Sequence, residues 1–247
     1  MRTRFAAYVA LVVVFVLLAA VSFAGGSGES ARGAGEQASI DEGDLTPAGI
    51  LPAPAPLAGE RTAVFAGGCF WCVEEAFEKV PGVREAVSGF AGGTVANPTY
   101  SRVLAGGTGH IEVAQVYYDP DVVTYEELLY VFWRNIDPID EGGQFCDRGE
   151  PYRTAVFYQT AEERSAALRS KEELDRSGRF EQPIVTQILA LDVLSVDGHN
   201  GFWPAEEYHQ DYYLRNPVRY RFYKEACGRD RRLEQLWGAE AGAPDYS

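Results

Sequence analysis

Apolar positions along the chain fall into short blocks of two different periods, separated by breaks that carry Gly and Pro. Thr62 to Ala66 is a β-type run that ends at Gly67-Gly68. From Cys69 the period changes. Val73, Ala76, Phe77 and Val80 follow i, i+3, i+4, i+7, with Glu74, Glu75 and Glu78 between them, which predicts a helix. Pro81-Gly82 stops it. Val83 to Phe90 reads as a strand, followed by a loop through Gly92-Gly93 to Pro98. Ile111 to Tyr118 alternates and is a strand. Thr124 with Glu127 three residues on is a capping box that opens a helix to about Asn135. Residues 136 to 152 form a Gly- and Asp-rich loop, and a loop this long in a compact domain is more often functional than idle. Thr154 to Tyr158 is a strand, and Thr160 with Glu163 caps a helix ending near Gly178. Ile184 to Leu194 is a strand, and the stretches Glu206 to Tyr213 and Arg215 to Trp237 mix short helix and coil. Helices and strands alternate, with hairpin-like stretches among them. The fold class is therefore α+β, a single domain with a mixed sheet and helices packed on it. It occupies 61–237, with a tail at 238–247.

Residues 1–60 lie outside this pattern. Arg2 and Arg4 precede an apolar run from Phe5 to Ala24, and Ser22-Phe23-Ala24 suits a signal peptidase. The run is also long enough to serve as a single N-terminal membrane anchor. Either reading puts the domain outside the cytoplasm, because the basic residues come first. Residues 25–60 are Gly, Ser, Glu, Ala and Pro, a linker that buries no core. With 46% hydrophobic residues the chain has enough apolar material to fold. Its net charge of −14 argues against a nucleic-acid or anionic-membrane binder, since both want basic patches.

The densest chemistry is in Gly67-Gly68-Cys69-Phe70-Trp71-Cys72. A thiol at the first turn of a helix meets unpaired N–H groups and the positive helix end, which favour the reactive thiolate. Gly67 and Gly68 would let a substrate approach closely. Phe70 and Trp71 would form an apolar wall beside the nucleophile. Cys146 and Cys227 complete the four cysteines, so two structural disulfides are an alternative. Cys69-x-x-Cys72 also allows a thiol–disulfide oxidoreductase. A zinc site lacks a second close Cys or His pair.

Further motifs follow in order: Asn97-Pro98-Thr99-Tyr100, Thr108-Gly109-His110-Ile111-Glu112-Val113, and Tyr118-Asp119-Pro120 with Leu128 to Trp133. Then come Gln144-Phe145-Cys146-Asp147-Arg148-Gly149 with Tyr152-Arg153-Thr154-Ala155, and Ala205-Glu206-Glu207-Tyr208-His209-Gln210. With Gly68-Cys69-Phe70-Trp71 they resemble the methionine sulfoxide reductase A family over roughly residues 62 to 237. The resemblance implies reduction of methionine-S-sulfoxide in oxidised peptides and proteins, a repair of oxidative damage. Cys69 is then the nucleophile and Glu112 the acid. Tyr100 and Tyr152 are hydroxyl donors, Asp147 supports the site, and Phe70 and Trp71 hold the substrate methyl. It implies no cofactor and no metal, and a thioredoxin-like dithiol as reductant. The chemistry agrees: a thiolate attacks sulfoxide sulfur only if the departing oxygen is protonated, and a carboxyl in an apolar pocket stays protonated. A second thiol must then resolve the Cys69 sulfenic acid. Cys227 is favoured, from a C-terminal region expected to be mobile and exposed around Arg229-Asp230. Cys146 and Cys72 are the alternatives. Many members have Gly where Cys72 stands, and the Gly-rich cysteine-bearing tail of some members is absent.

Overall fold

The computed structural model describes residues 49–191 and 201–243. The expected export segment, the linker before residue 49 and the far end of the Ile184 to Leu194 strand lie outside the described residues. Among the described residues no helix is long and apolar enough to cross a membrane.

The chain runs β1 (Arg61–Gly67), α1 (Phe70–Glu78), β2 (Val83–Ala91), α2 (Tyr100–Leu104), β3 (Ile111–Tyr118) and α3 (Tyr125–Arg134). A small hairpin follows, β4 (Gly143–Gln144) and β5 (Asp147–Arg148), then β6 (Thr154–Tyr158), α4 (Ala161–Arg176), β7 (Gln187–Ala190) and β8 (Trp203–Pro204). The chain continues through α5 (Tyr212–Arg215), α6 (Pro217–Cys227) and α7 (Arg229–Trp237). The strands form one six-stranded sheet in the order β7-β6-β1-β3-β2-β8. Among the described residues only the β6–β7 pair is parallel; β1–β3, β1–β6, β2–β3 and β2–β8 are antiparallel. The α+β expectation describes this mixed sheet.

The alternation in β3 does not divide a wet face from a dry one. All eight residues are buried, because β3 lies between β1 and β2 and both sheet faces are covered. Ala114, Val116 and Tyr118 join the core that holds Val73 and Phe77 of α1, Phe132 of α3 and Trp237 of α7. Ile111, Val113 and Tyr117 join Val64, Ala66 and Phe157 on the opposite face. Side chains alternate along a strand, so Glu112 falls on the face that α1 covers.

The Thr124 capping box is present: Thr124 Oγ1 accepts from the Glu127 N–H, and the Glu127 carboxylate accepts from the Thr124 N–H at 2.7 Å. At α4, Thr160 accepts from the Glu163 N–H, but Glu163 reaches past it to the Gln159 N–H. The C-terminal part is more helical than expected. Arg229, expected in a mobile exposed region, is 3% exposed. Its Nη2 donates to the carbonyls of Gly67 at 3.1 Å and Asn135 at 2.7 Å. The guanidinium also sits over the Phe145 ring, so one buried cation joins β1, α3, the 136–152 loop and α7. α2 is an element that the sequence pattern does not predict. Thr99 caps it by accepting from the Arg102 N–H.

The two glycines before Cys69 do not open the backbone to a substrate. A Cβ on Gly67 would lie 2.9 Å from Val73 Cγ2 and 3.0 Å from Ile136 Cγ2, and one on Gly68 would collide with the Gln144 side chain. Gly68 also has φ +81°. Gln144 is fully buried and is held by Asp137: its Oε1 accepts from the Asp137 N–H, and its Nε2 donates to the Asp137 carbonyl, both at 2.8 Å. The glycines therefore serve packing between the β1–α1 turn and the long loop. Gly68→Ala is expected to lower unfolding free energy by at least about 1 kcal/mol, the cost of a side chain in the left-handed region. Urea denaturation measures it, and an unchanged midpoint would show that Gln144 yields freely.

Candidate active site

Cys69 is the N-cap of α1, and the N–H groups of Cys72 and Val73 donate to its carbonyl. The next N–H, of Phe70, donates to Glu112 Oε2 at 3.0 Å. A helix start has N–H groups without intrahelical partners, and here one of them is spent on a carboxyl from the middle of the sheet. Glu112 is 1% exposed. Burial pushes its pKa well above the usual carboxylate range, against the Phe70 N–H, which favours the charged form. Asp147 and Cys72 add negative potential that raises it further. The shift favours the neutral form of the Glu112 carboxyl.

The seven residues assigned as nucleophile, acid, hydroxyl donors, supporting carboxyl and apolar wall all line one cavity of about 280 Å³: Cys69, Glu112, Tyr100, Tyr152, Asp147, Phe70 and Trp71. Three larger hollows among the described residues, of about 670, 500 and 400 Å³, hold no cysteine or histidine. Tyr100 and Tyr152 are hydrogen-bonded to each other. Burial, then the Glu112 carboxyl, pushes Tyr100 up to about 12, and the same causes raise Tyr152. Both remain hydroxyl donors. Burial raises Asp147, whose Oδ2 accepts from the Tyr223 hydroxyl at 2.5 Å. Tyr223 also hydrogen-bonds Cys69.

Tyr212, Arg219 and Tyr223 line the same cavity, and no sequence motif marked them. They come from α5 and α6, which the sequence leaves as mixed helix and coil. Trp71 stacks on Tyr212 with ring centroids 3.8 Å apart and 8° between planes. Glu206 accepts from the Tyr100 N–H, so the last motif reaches the site although its residues were given no roles.

The cysteines divide into two pairs. Cys146 and Cys227 form a disulfide, while Cys69 and Cys72 are free and buried. This places Cys227 at the end of a regular helix rather than in a mobile tail. Burial pushes the Cys69 thiol up, and its hydrogen bond with Cys72 acts in the same direction. Cys72 is lowered to about 6, first by the Cys69 thiol beside it and then, against its burial, by the Arg229 and Lys224 charges. The helix-end dipoles that would favour a thiolate at Cys69 are opposed by burial. Within the pair, the cations beside Cys72 favour charge on its sulfur.

Two clusters have ligand atoms within 4.8 Å of one another: Cys146, Asp147 and Cys227, and Glu74, Glu78 and Asp211. The first has its sulfurs bonded together. In the second, Glu74 already accepts from the Ser88 hydroxyl and the Asp211 N–H.

With the Cys146–Cys227 disulfide intact, the near-ultraviolet absorbance of thiolate should rise with a midpoint near pH 6 as the pH increases. The lowered pKa places the charged form above that pH. Cys72→Ala should abolish this step. A midpoint near that of a free cysteine would remove the charge from Cys72.

A family model described as peptide methionine sulfoxide reductase matches residues 61–241. The peptide methionine sulfoxide reductase MsrA of Halalkalibacterium halodurans is 49% identical over 176 residues, covering 71% of this chain and 96% of that protein. The MsrA/MsrB protein of Vibrio cholerae is 50% identical over 183 residues, which cover 74% of this chain but 46% of that longer protein. Among solved structures, methionine sulfoxide reductase A of Corynebacterium diphtheriae aligns with a TM-score of 0.59 at 32% identity, over 70% of this chain and 86% of that one. Reduced Mxr1 of Saccharomyces cerevisiae aligns with a TM-score of 0.57 at 31% identity, over 68% and 91%. With this agreement across nearly the whole of the domain, the chain belongs to the peptide methionine sulfoxide reductase family.

Proposed function

We propose that this enzyme reduces methionine-S-sulfoxide in peptides and proteins, with Cys69 as nucleophile and Glu112 as acid. The observation that carries the reading is one cavity holding a buried thiol, a neutral buried carboxyl and a pair of bonded tyrosine hydroxyls. The substrate methyl lies against Phe70 and Trp71. Cys69 gives its proton to the Cys72 sulfur and attacks the sulfoxide sulfur. Glu112 protonates the oxygen as negative charge develops on it, with Tyr100 and Tyr152 donating to the same atom. The sum is Cys69 thiol plus sulfoxide giving Cys69 sulfenic acid plus thioether. Cys69 supplies the electron pair that reduces the substrate and is itself oxidised.

Cys227 resolves the sulfenic acid, forming a Cys69–Cys227 disulfide and releasing water. Cys146 then attacks Cys227, which frees Cys69 and leaves the Cys146–Cys227 bond. The pairing of these two sulfurs beside Asp147 supports that order. Tyr223 supports it too, since it lies on the same helix as Cys227 and bonds both Cys69 and Asp147. Closure between Cys69 and Cys72 would instead pull on the turn that presents Phe70 to Glu112. A thioredoxin-like dithiol reopens the outer disulfide, and no prosthetic group takes part. The basic start and apolar run at 1–24 favour work outside the cytoplasm, secreted, periplasmic or anchored.

Cys69→Ser should abolish turnover of a methionine-S-sulfoxide peptide with dithiothreitol while keeping the fold, and retained turnover would sink the reading. Glu112→Gln and Tyr152→Phe should each slow single-turnover sulfoxide consumption by about a hundredfold or more, whereas unchanged rates would remove them from the chemistry. In Cys146→Ser the Cys69–Cys227 disulfide should accumulate after one equivalent of sulfoxide. Peptide mapping that finds Cys69–Cys72 instead would contradict the assignment of Cys227.

A further inference from the structure

His209 touches three of the residues assigned to the site, yet it does not line the cavity. The indole Nε1–H of Trp71 donates to its Nδ1 at 3.2 Å. Its ring lies 5.0 Å from Phe70, 5.7 Å from Trp71 and 4.3 Å from Tyr100, centroid to centroid. An Nδ1 that accepts leaves the proton on Nε2, and that nitrogen is buried without a hydrogen-bond partner. Burial lowers the pKa to about 4, so the ring is neutral and its acceptor stays available.

The backbone around this ring is held on both sides. Before it, the Glu206 carboxylate accepts from the Tyr100 N–H, and the Glu206 carbonyl accepts from the His209 N–H. After it, Gln210 pairs with Ser88 of β2 through both the N–H and the carbonyl of that residue, each at 2.9 Å. The next N–H, of Asp211, donates to buried Glu74 at 2.6 Å. A side chain on so fixed a frame transmits its position to whatever it holds.

We propose that His209 is a positioning residue for the substrate-methyl pocket. Its Nδ1 fixes the plane of Trp71, and its ring sets the spacing of Phe70, Trp71 and Tyr100. This rests on the reading of Phe70 and Trp71 as the methyl pocket. Trp71 otherwise has ring contacts, a stack on Tyr212 and an edge-on contact with Tyr223, which are less directional than a hydrogen bond. The hydrogen bond to His209 supplies the direction. A neutral acceptor is needed, because a protonated imidazole offers no lone pair.

Two variants separate the acceptor from the ring. His209→Phe keeps an aromatic ring and deletes the acceptor; His209→Asn keeps an acceptor and deletes the ring. In His209→Phe, KM for a methionine-S-sulfoxide peptide should rise roughly tenfold, the effect of stranding a buried N–H, with kcat close to the parent. His209→Asn should recover most of that loss. Hydrogen exchange of the Trp71 indole N–H, followed by NMR against a Trp71→Phe reference, should be protected in the parent and in His209→Asn and fast in His209→Phe. Unchanged KM in His209→Phe would overturn the proposal. So would a fall in kcat at constant KM, or an indole that stays protected. A parent chain inactive on the sulfoxide would strike the functional reading alone, and the indole exchange would then decide the role of His209.

Discussion

The hydrogen bond from the Phe70 N–H to Glu112 ties the first turn of α1 to the most buried strand of the sheet, and the chemistry depends on it. A carboxyl placed on a central strand loses its water, and the loss of hydration costs the charged form more than the neutral one. One donor keeps the group in place without supplying enough stabilisation to ionise it. The same contact sets where Cys69 sits, because Cys69 immediately precedes Phe70 at the cap of the helix. Glu112 and Cys69 are thus positioned by a single short span of backbone.

The C-terminal helices complete what the sheet begins. The acidic side of α1 is turned toward them rather than toward water. Glu74 accepts from the Asp211 N–H, Glu75 from the Tyr220 hydroxyl and Lys224, and Glu78 from the Tyr213 hydroxyl. Burial pushes Glu74 up to about 8, so this helix adds a carboxyl that also favours its neutral form. Arg229 anchors the same region to the carbonyl of Gly67, two residues before the nucleophile. Together with Lys224 it supplies positive potential that lowers the Cys72 pKa.

The periodic parts of the chain were legible because their pattern is local. The 3.6-residue spacing of Val73, Phe77 and Val80 and the Thr124 cap reappear as a buried helix face and a reciprocal cap. The motif order was legible too, and its seven assigned residues meet in one cavity. What was not legible depends on partners far along the chain. β3 has the alternation of a half-wet strand, and only the covering of both sheet faces makes Gln115 and Glu112 buried. Arg229 looks like a surface charge until two backbone carbonyls separated from it by most of the domain turn up beside it. The balance within the thiol pair was hidden for a similar reason. A helix end contributes only local dipoles, whereas burial raises Cys69 and distant cations lower Cys72.

The account stands on Glu112 being a neutral acid in the resting enzyme. Infrared difference spectroscopy of the parent against Glu112→Gln at neutral pH tests this directly. The account predicts a protonated-carboxyl C=O stretch in the parent that is missing from the variant and fades as the pH is raised. A difference spectrum with only carboxylate bands would show Glu112 ionised and would contradict it.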